Sequence, residues 1–459
     1  MSEVKVNKIS PRTACGTVTL GDSGDTFTIP AGATITNNGT AAGFGATGAA
    51  SWDTTVKTSG FTAVSGVGYF VNTTSGAITV TLPASPAAGA VVAVKDYANT
   101  FDTNNVTLAR NGSNIGGQAI DSVLLTEGLA VTLVYVDATK GWLVTDSGLQ
   151  DDAPQPTFIT ATGGTITCSG DYKIHTFTGP GTFTVCSVGN AAGSTTVDYM
   201  VIAGGAGGGA EEGGGGGAGG FRESPGTGSG SYSVSPLAGG SALTLAVQGY
   251  PIAVGGGGNG QTSPTPAVNG SNSTFSTITS TGGGRGGGQD LPYVGQPGGS
   301  GGGGHGDGGG SPQSGGTGNS PPVSPAQGTN GGTGAGRTGS SNEAGGGGGG
   351  ATAVGSNGVT SPNPGGTGGP GGAGATTSIN GTPTTRAGGG GGAAAGGCGV
   401  VGAGGAGGGG AGTKGPGVAG AGTVNTGSGG GGGGGNSGAP NTNGGAGGSG
   451  IVIIRYKFQ

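Results

Sequence analysis

Charged residues are scarce in this sequence of 459 residues: they make up 8% of the chain and leave a formal net charge of −5. The lysines and arginines are scattered, so no basic stripe is available to follow a nucleic-acid backbone. No apolar run approaches the roughly 20 residues that a membrane-spanning helix needs. The first residues, MSEVKVNKIS, contain no apolar stretch, so we expect no secretory signal. These absences argue against nucleic-acid-binding and membrane-spanning proteins.

Cysteine is also rare. The four cysteines, Cys15, Cys168, Cys186 and Cys398, are too few and too dispersed for a disulfide framework. Cys168 and Cys186 flank a predicted hairpin, so they either form a disulfide or remain two unlinked buried thiols.

Residues that commonly carry catalysis are few. Only two histidines are present, His175 and His305, so a histidine-based triad is not expected. The acidic residues Glu211, Glu212 and Asp290 lie in unrelated loops without an aromatic sugar platform, which argues against a glycosidase. The segment GGGGHGDGGG falls one residue short of a calcium-binding repeat and is not repeated, and no phosphate-binding Gly-Lys-Ser/Thr motif occurs. We predict no catalytic, metal or cofactor site.

Glycine is abundant instead, with 126 residues concentrated between positions 203 and 450. The stretch 365–374, GGTGGPGGAG, carries a side chain at every third position, and Ala203 and Ala206 show the same spacing. A collagen helix needs glycine at every third position, which is the inverse ratio. Two alternatives remain, namely a flexible linker and an ordered bundle of left-handed extended helices with three residues per turn.

We favour the ordered bundle because it explains the spacing of three. Such helices make no internal hydrogen bonds, so their N–H and C=O groups can pair with neighbouring helices wherever no Cβ intervenes. Interior helices must then be bare, as in Gly429–Gly435, whereas outer helices can carry side chains on one face, as in 365–374. The non-repetitive segments become turns at the two ends of the bundle, and loops on a rigid scaffold are common recognition sites.

The rest of the chain predicts a mainly β fold. Residues 1–50 contain short strand-like triplets, which predict a stalk that pairs across subunits, preferably a homotrimer, or winds as a solenoid. Residues 51–148 predict a small antiparallel sandwich or barrel, with Trp52 and Trp142 packed in its core or on its flank. Residues 149–156 are typical of a linker.

Residues 157–459 form the predicted C-terminal domain. Strand-like runs precede the glycine tract, about 203–450, and IVIIRYKFQ follows it. We expect Ile451–Tyr456 to pair with strands near Tyr199–Ala203, because a disordered tail would not need an ordered strand on both sides. The tract is then a long excursion between two strands of one sheet.

Several segments resemble proteins of tailed phages. The glycine-rich domain of phage fibre proteins is similar to residues 157–459 through TATGGTITCSGDYKIHTFTGPGTFTV, VDYMVIAGGAGGG, GSNSTFSTITSTGGGRGGG and GGSGIVIIRY, in this order. The composition of the tract also resembles that of the adhesins on long tail fibres of T-even-like phages. Residues 5–45 resemble amino-terminal segments of marine phage fibres, and residues 68–145 resemble a small β-domain frequent in tail fibres.

The resemblance implies a non-enzymatic adhesin. It implies a layered sandwich of polyglycine-II helices whose loops contact a bacterial surface polysaccharide or an outer-membrane protein. The amino terminus would attach to the phage tail or an adaptor protein, and the virion would assemble in the host cytoplasm. Two alternatives stay open: a purely structural virion decoration or spacer, and a fibre-borne polysaccharide depolymerase.

Candidate contact residues lie in the turns. Tyr293, in DLPYVGQP, has no nearby apolar partner except Leu291 and Val294, which favours exposure and ligand contact, with local packing as the alternative. The full set of predicted receptor-binding residues is Tyr293, Leu291, Asp290, Gln289, Tyr232, Arg337 and Glu343.

Overall fold

The computed structural model describes residues 50–149, 156–190, 193–230, 232–289, 292–306, 310–336, 343–361, 365–396, 398–435 and 442–459. The predicted stalk, apart from its last residue, lies outside these ranges. The chain divides into two compact units, Met1–Pro154 and Gln155–Gln459. Every regular secondary-structure element in the described ranges is a β-strand, so the predicted mainly β fold is confirmed.

Residues 50–149 form two facing sheets. The strand orders are β1-β3-β5-β8-β9 in one sheet and β2-β4-β6-β7 in the other. The strands are β1 Ser51–Lys57, β2 Phe61–Thr62, β3 Val67–Val71, β4 Ile78–Thr81, β5 Val91–Asp96, β6 Val106–Ala109, β7 Ser122–Leu124, β8 Ala130–Asp137 and β9 Gly141–Gly148.

The first six strands wind between these sheets. Odd-numbered strands lie in one sheet and even-numbered strands in the other, so β1, β3 and β5 pair in parallel, as do β2, β4 and β6. Antiparallel pairing is confined to the pairs formed by β7, β8 and β9. The predicted antiparallel sandwich is therefore wrong for these six strands. Alternating apolar residues and regularly spaced turns identify strands in the sequence. They do not show whether a turn leads back into the same sheet, as in a hairpin, or across to the opposite sheet.

The space between the two sheets is filled by the inward side chains of alternate residues. Val71, Val94 and Leu108 are at most 1% exposed. Trp142 is fully buried in this core, whereas Trp52 is 44% exposed and packs against Phe70 at a ring distance of 4.9 Å. The tryptophans thus occupy the core and its flank, as predicted.

Residues 156–459 contain two larger sheets and two short strand pairs, of which β20–β21 is antiparallel and β22–β23 is parallel. One larger sheet has the order β10-β13-β17-β18-β19, and the other has β11-β12-β24-β14-β15 with β16 also paired to β14. The strands are β10 Thr160–Thr162, β11 Thr165–Ser169, β12 Tyr172–Phe177, β13 Gly181–Ser187, β14 Thr196–Ile202, β15 Phe221–Glu223, β16 Leu243–Thr244, β17 Gly249–Ala253, β18 Ser273–Phe275, β19 Ile278–Ser280, β20 Ala375–Thr377, β21 Thr384–Arg386, β22 Gly417–Val418, β23 Thr442–Asn443 and β24 Ile451–Lys457.

Strands β14 and β24 pair at the centre of the six-stranded sheet, with Ile202 opposite Ile451. This confirms the predicted pairing around the glycine tract. One face of the pair packs on the second sheet, where Phe183 is fully buried, and the other packs on Phe221 and Ile379. Burial on both faces explains the continuous apolar runs in both strands.

Between these two strands the glycine tract forms extended runs, called rods here, that lie side by side. Every third N–H group of the rod 203–209 donates to the same neighbouring run. Successive residues donate in turn to 214–220, 268–271 and 445–448. A period of three means that the rod presents its amides in three directions.

The rod 213–220 lies inside the lattice of rods. A Cβ at Gly216 would lie 2.1 Å from the carbonyl oxygen of Ala206, and one at Gly215 would lie 2.1 Å from that of Gly390. Only glycine permits such approaches, so this part of the rod is bare. Backbone hydrogen bonds join the rod to six others: 203–209, 281–287, 300–303, 346–349, 390–393 and 427–433.

Exposure separates outer rods from inner ones. In 365–374, Pro370 is exposed and the side chains three residues to either side are half-buried, whereas Gly429–Gly435 is buried, as predicted. Ala203 and Ala206 have the same spacing of three but are 0% exposed, so they do not lie on an outer face. The spacing of three shows that one face of a rod accepts a methyl group, but it does not show whether that face meets solvent or another rod.

Successive rods run in opposite directions, so their turns gather at two ends. The rod 203–209 leaves strand β14, turns, and returns as 213–220 to strand β15. The end that carries these strands is called the sheet end, and the opposite end is called the far end.

Candidate functional site

The far end is built from turns that hydrogen-bond to one another. The turn between the first two rods contains Glu211 and Glu212, both with positive φ, at 49° and 56°. The N–H group of Gly306, at the end of another rod, donates to the Glu212 carbonyl at 2.9 Å. Turns from distant parts of the chain therefore form one surface.

Tyr293 lies on this surface beside His305. Their rings are 5.4 Å apart at an angle of 37°, and the N–H group of His305 donates to the Tyr293 carbonyl at 2.8 Å. His305 is 2% exposed, and its Nε2 contacts the carbonyl of Glu211. Tyr293 is half-buried. The expectation that Tyr293 has no nearby apolar partner except Leu291 and Val294 did not include this histidine. His305 follows twelve positions later and reaches Tyr293 through the pairing of two rods.

A groove of about 390 Å³ opens near the ends of neighbouring rods on the same side of the lattice. Asn357 accepts a hydrogen bond from the Thr333 N–H group at 2.8 Å through its Oδ1, and Val359 is 57% exposed. The lining residues are Gly310, Pro312, Thr333, Gly334, Ala335, Gly336, Asn357, Gly358, Val359 and Thr360.

The described lining of this groove is uncharged. It combines hydroxyl and amide groups with apolar methyl groups, and none of the described lining residues carries a charge. Such a lining can hydrogen-bond a hydroxyl-rich ligand and pack against its C–H groups. In the described ranges, no group of three or more histidine, cysteine, aspartate or glutamate residues is placed to hold a metal ion.

Three of the seven predicted contact residues lie at the far end. Gln289 is exposed, Tyr293 contacts His305, and Glu343 is 4% exposed with its carbonyl bonded to the N–H group of Ala395. The predictions for Asp290, Leu291 and Arg337 fall outside the described residues.

Tyr232 lies at the sheet end instead. Its ring is 5.3 Å from the Arg455 guanidinium, and it packs beside the core on that face of the sheet. Burial raises the pKa of its hydroxyl far above the usual value. The structure therefore separates Tyr232 from the other described candidates.

Sequence reasoning missed the groove residues. Thr333, Asn357 and Val359 are separated by long stretches of chain, and their segments differ from other interruptions of the glycine tract only in detail. The interruption GSNGV was the one available signal, but it does not show which rods end beside each other.

Other chemically able side chains lie among the strands. His175 is buried, and its Nδ1 donates to the Gly163 carbonyl at 2.7 Å while its Nε2 accepts from the Tyr456 hydroxyl at 3.0 Å. Desolvation lowers the pKa of His175. Cys168 and Cys186 are free and exposed, so neither the disulfide nor the buried thiols expected from the sequence is present.

Comparison with known proteins agrees with this architecture. A family model described as a glycine-rich domain matches residues 176–457. The match begins in β12 and ends with β24, so it covers the central strand pair and the whole lattice. A search of curated proteins finds no match. No helix in the described ranges is long and apolar enough to cross a membrane. Because the match covers more than half of its length, this chain belongs to the glycine-rich domain family.

Proposed function

We propose that this protein is a tail-fibre receptor-binding protein of a tailed phage, that its rods are polyglycine-II helices, and that its far end contacts the host. It performs no catalysis and acts as an adhesin. The period of three in the hydrogen-bond partners and the six neighbours of the rod 213–220 support the assignment of the rods.

The observation that carries the proposal is the backbone-paired lattice. It gathers turns from distant parts of the tract at each of its two ends, and rigidly presented loops are where recognition residues concentrate. The sheet end carries the strands through which the chain enters and leaves the lattice, whereas the far end carries turns and the groove. The far end is thus the better candidate for contact with a host.

The groove narrows the class of receptor. Bacterial surface polysaccharides and outer-membrane proteins are the two candidates, and the hydroxyl, amide and methyl groups of the described lining residues favour a hydroxyl-rich sugar. The proposal also includes a homotrimer, attachment of residues 1–50 to the tail or an adaptor protein, and a place in the virion after assembly in the host cytoplasm. These parts rest on the sequence resemblance.

Two exposed valines at opposite ends of one rod provide a matched test. Val359 lines the groove and is 57% exposed, whereas Val354 precedes the same rod at its sheet end and is 61% exposed. The full chain, fluorescently labelled, is incubated with a panel of Gram-negative cells and with purified lipopolysaccharide. We expect Val359→Ser to weaken adsorption about tenfold and Val354→Ser to leave it unchanged, since a lost apolar contact is worth roughly 1–3 kcal/mol.

Other outcomes separate the alternatives. Equal adsorption by both variants would place the contact elsewhere, and a loss confined to Val354→Ser would make the sheet end the contact face. Failure of the full chain to adsorb to any cell would favour the structural spacer. Release of oligosaccharide from the envelope would favour the depolymerase.

A further inference from the structure

A lattice of bare rods has little to set its register. The N–H groups of Gly213, Gly216 and Gly219 donate to residues 433, 430 and 427 of one neighbour, at steps of three. Sliding a rod by three residues would replace each pair by an equivalent one, because the backbone groups are identical. Glycine-rich pairing specifies register weakly for this reason. Something outside the repeating backbone must therefore select the observed register.

A hairpin in the middle of the tract meets the sheet. Strands β20 and β21 join two rods at the sheet end, and the turn between them inserts Ile379, which is 0% exposed, against the sheet. The N–H group of Ser378 donates to the Ser233 carbonyl at 2.8 Å. The carbonyl of Ile379 accepts from Arg455 Nη1 of β24 at 3.4 Å.

A buried polar cluster completes this contact. Glu223, at the end of β15, is 2% exposed, and its carboxylate accepts hydrogen bonds from the Thr377 hydroxyl and, at 2.9 Å, from the Ser235 N–H group. Arg386 of β21 is 7% exposed, and among the described residues its Nη1 has no hydrogen-bond partner. Burial lowers the pKa of Arg386, and the nearby Glu223 carboxylate partly offsets that shift. Glu223, Thr377 and Arg386 are called the clasp.

The groups facing the clasp come from every adjoining strand. Asp198 of β14 accepts hydrogen bonds from Ser224 and Ser229. Arg455 of β24 lies over the rings of Tyr172 and Tyr232, at 4.3 and 5.3 Å. Asp198, Arg455 and Tyr172 thus belong to strands of the sheet, and Tyr232 belongs to the loop after β15. Thr377 and Arg386 come from the hairpin β20–β21.

We infer that the clasp fixes the register of the glycine lattice on the sheet. A slip of three residues displaces a rod by roughly 9 Å, which removes Thr377 and Arg386 from Glu223. The carboxylate would then be buried without the Thr377 hydroxyl donor, and a buried polar group that loses its hydrogen-bond partner is strongly unfavourable. The clasp therefore gives the observed register a lower free energy than the other registers, whose backbone hydrogen bonds are nearly equivalent.

Crosslinking reports this register directly. Thr352 Oγ1 donates to the Ala373 carbonyl at 3.2 Å, so cysteines at 352 and 373 are neighbours in the observed register. After a slip of three, the neighbour of 352 becomes 370 or 376. The full chain, with its own cysteines replaced by serine, carries Thr352→Cys together with Ala373→Cys, Pro370→Cys or Thr376→Cys. A short bis-maleimide and mass spectrometry identify the linked pairs.

With the clasp intact we expect only the 352–373 link. Thr377→Val and Glu223→Gln should each raise the ratio of slipped to native links at least tenfold, and Thr377→Ser, which restores the hydroxyl, should return it to the starting value. Thr376→Val, examined with the 373 and 370 pairs, is the matched control because this neighbouring hydroxyl is exposed and pairs with Thr385 at 2.8 Å. It should leave the links unchanged.

A purely stabilising role gives a different result. If Thr377→Val and Glu223→Gln lower the unfolding midpoint but retain only the 352–373 link, the inference is wrong. Val185→Ala, in the core between the two larger sheets, supplies a comparable loss of stability away from the clasp and should produce no slipped link. Glu223→Gln conserves the side-chain volume, so it decides the outcome should Thr377→Val not fold.

Discussion

The two parts of the C-terminal unit, its sheets and its rods, bury their backbones in opposite ways. In the sheets a strand pairs mainly with one or two neighbours, and side chains such as Phe183 and Phe275 fill the space between layers at 0% exposure. In the lattice the rod 213–220 pairs with six neighbours, and a Cβ at Gly216 has no room. The sheets are held largely by side-chain burial and the rods by backbone hydrogen bonds.

This difference teaches what a core without side chains requires. Ordering a residue costs about 1–2 kcal/mol and glycine loses more freedom than other residues, whereas a hydrogen bond returns about 0.5–1.5 kcal/mol net. The lattice is therefore stable only where nearly all amides are paired. A sheet can lose one contact locally, but a rod that is pushed aside disturbs several neighbours.

The largest effect should follow a methyl group inside the lattice. In Gly216→Ala the new Cβ would lie 2.1 Å from the Ala206 carbonyl oxygen, so we expect a loss of more than about 5 kcal/mol in unfolding free energy or failure to fold. Urea denaturation measures the change. Gly256→Ala is the control, because no atom lies within 4 Å of its Cβ position, and it should stabilise by about 0.4–1 kcal/mol. Equal effects would remove the distinction between inner and outer rods.

The next largest effect concerns the sheets. Phe183→Ala removes a fully buried ring that contacts His175 and Phe275 at ring distances of 5.0 and 6.0 Å. We expect a loss of about 3–5 kcal/mol. Native-state hydrogen exchange should show faster opening of the two sheets than of the rod 213–220. Uniform acceleration along both would mean that sheets and rods unfold as one unit.

A smaller effect comes from pH and also belongs to the sheets. Because burial lowers the pKa of His175 below 6.5, the folded state binds fewer protons than the unfolded state below that pH. The unfolding free energy should therefore fall as the pH decreases from 6.5 towards the folded pKa, by at most about 1.4 kcal/mol per pH unit. Urea denaturation across this range, compared with His175→Gln, measures the contribution. An unchanged slope in the variant would assign the pH dependence to other groups.

The smallest effect should come from the outer face of the lattice. Ala446 is exposed and Ala206 is 0% exposed, although both belong to rods with a side chain at every third position. Ala446→Ser should change the unfolding free energy by no more than about 0.5 kcal/mol. Ala206→Ser buries a hydroxyl and should cost about 1–3 kcal/mol. Thermal denaturation of the two variants tests whether Ala446 lies on an outer face and Ala206 on an inner one. Similar shifts of the unfolding midpoint in both variants would contradict this assignment.

Prediction from the sequence succeeded where the signal was local and strong. The apolar runs before and after the tract are continuous, so the pairing of Ile451–Tyr456 with the strand near Tyr199–Ala203 followed from their positions on either side of the tract. The glycine run 429–435 carries no side chain, which predicted an interior position, and the run is buried.

Prediction failed where the outcome depended on distant parts of the chain. The parallel winding of β1 to β6 depends on which sheet each turn enters, and the burial of Ala206 depends on which rods surround it. Tyr293 and His305 meet because two rods pair, and the groove of Thr333, Asn357 and Val359 forms because further rods end together. None of these partners is marked by spacing or composition.

By itself the sequence determined where the chain is bare enough for backbone to approach backbone, and where apolar strands must enclose that stretch. The tertiary structure alone decided which rod lies beside which, which end gathers the groove, and which polar groups meet at the clasp. The physical reason is that glycine rods offer identical amides to every neighbour, so their arrangement is selected by the few side chains that differ and by the sheet on which they end.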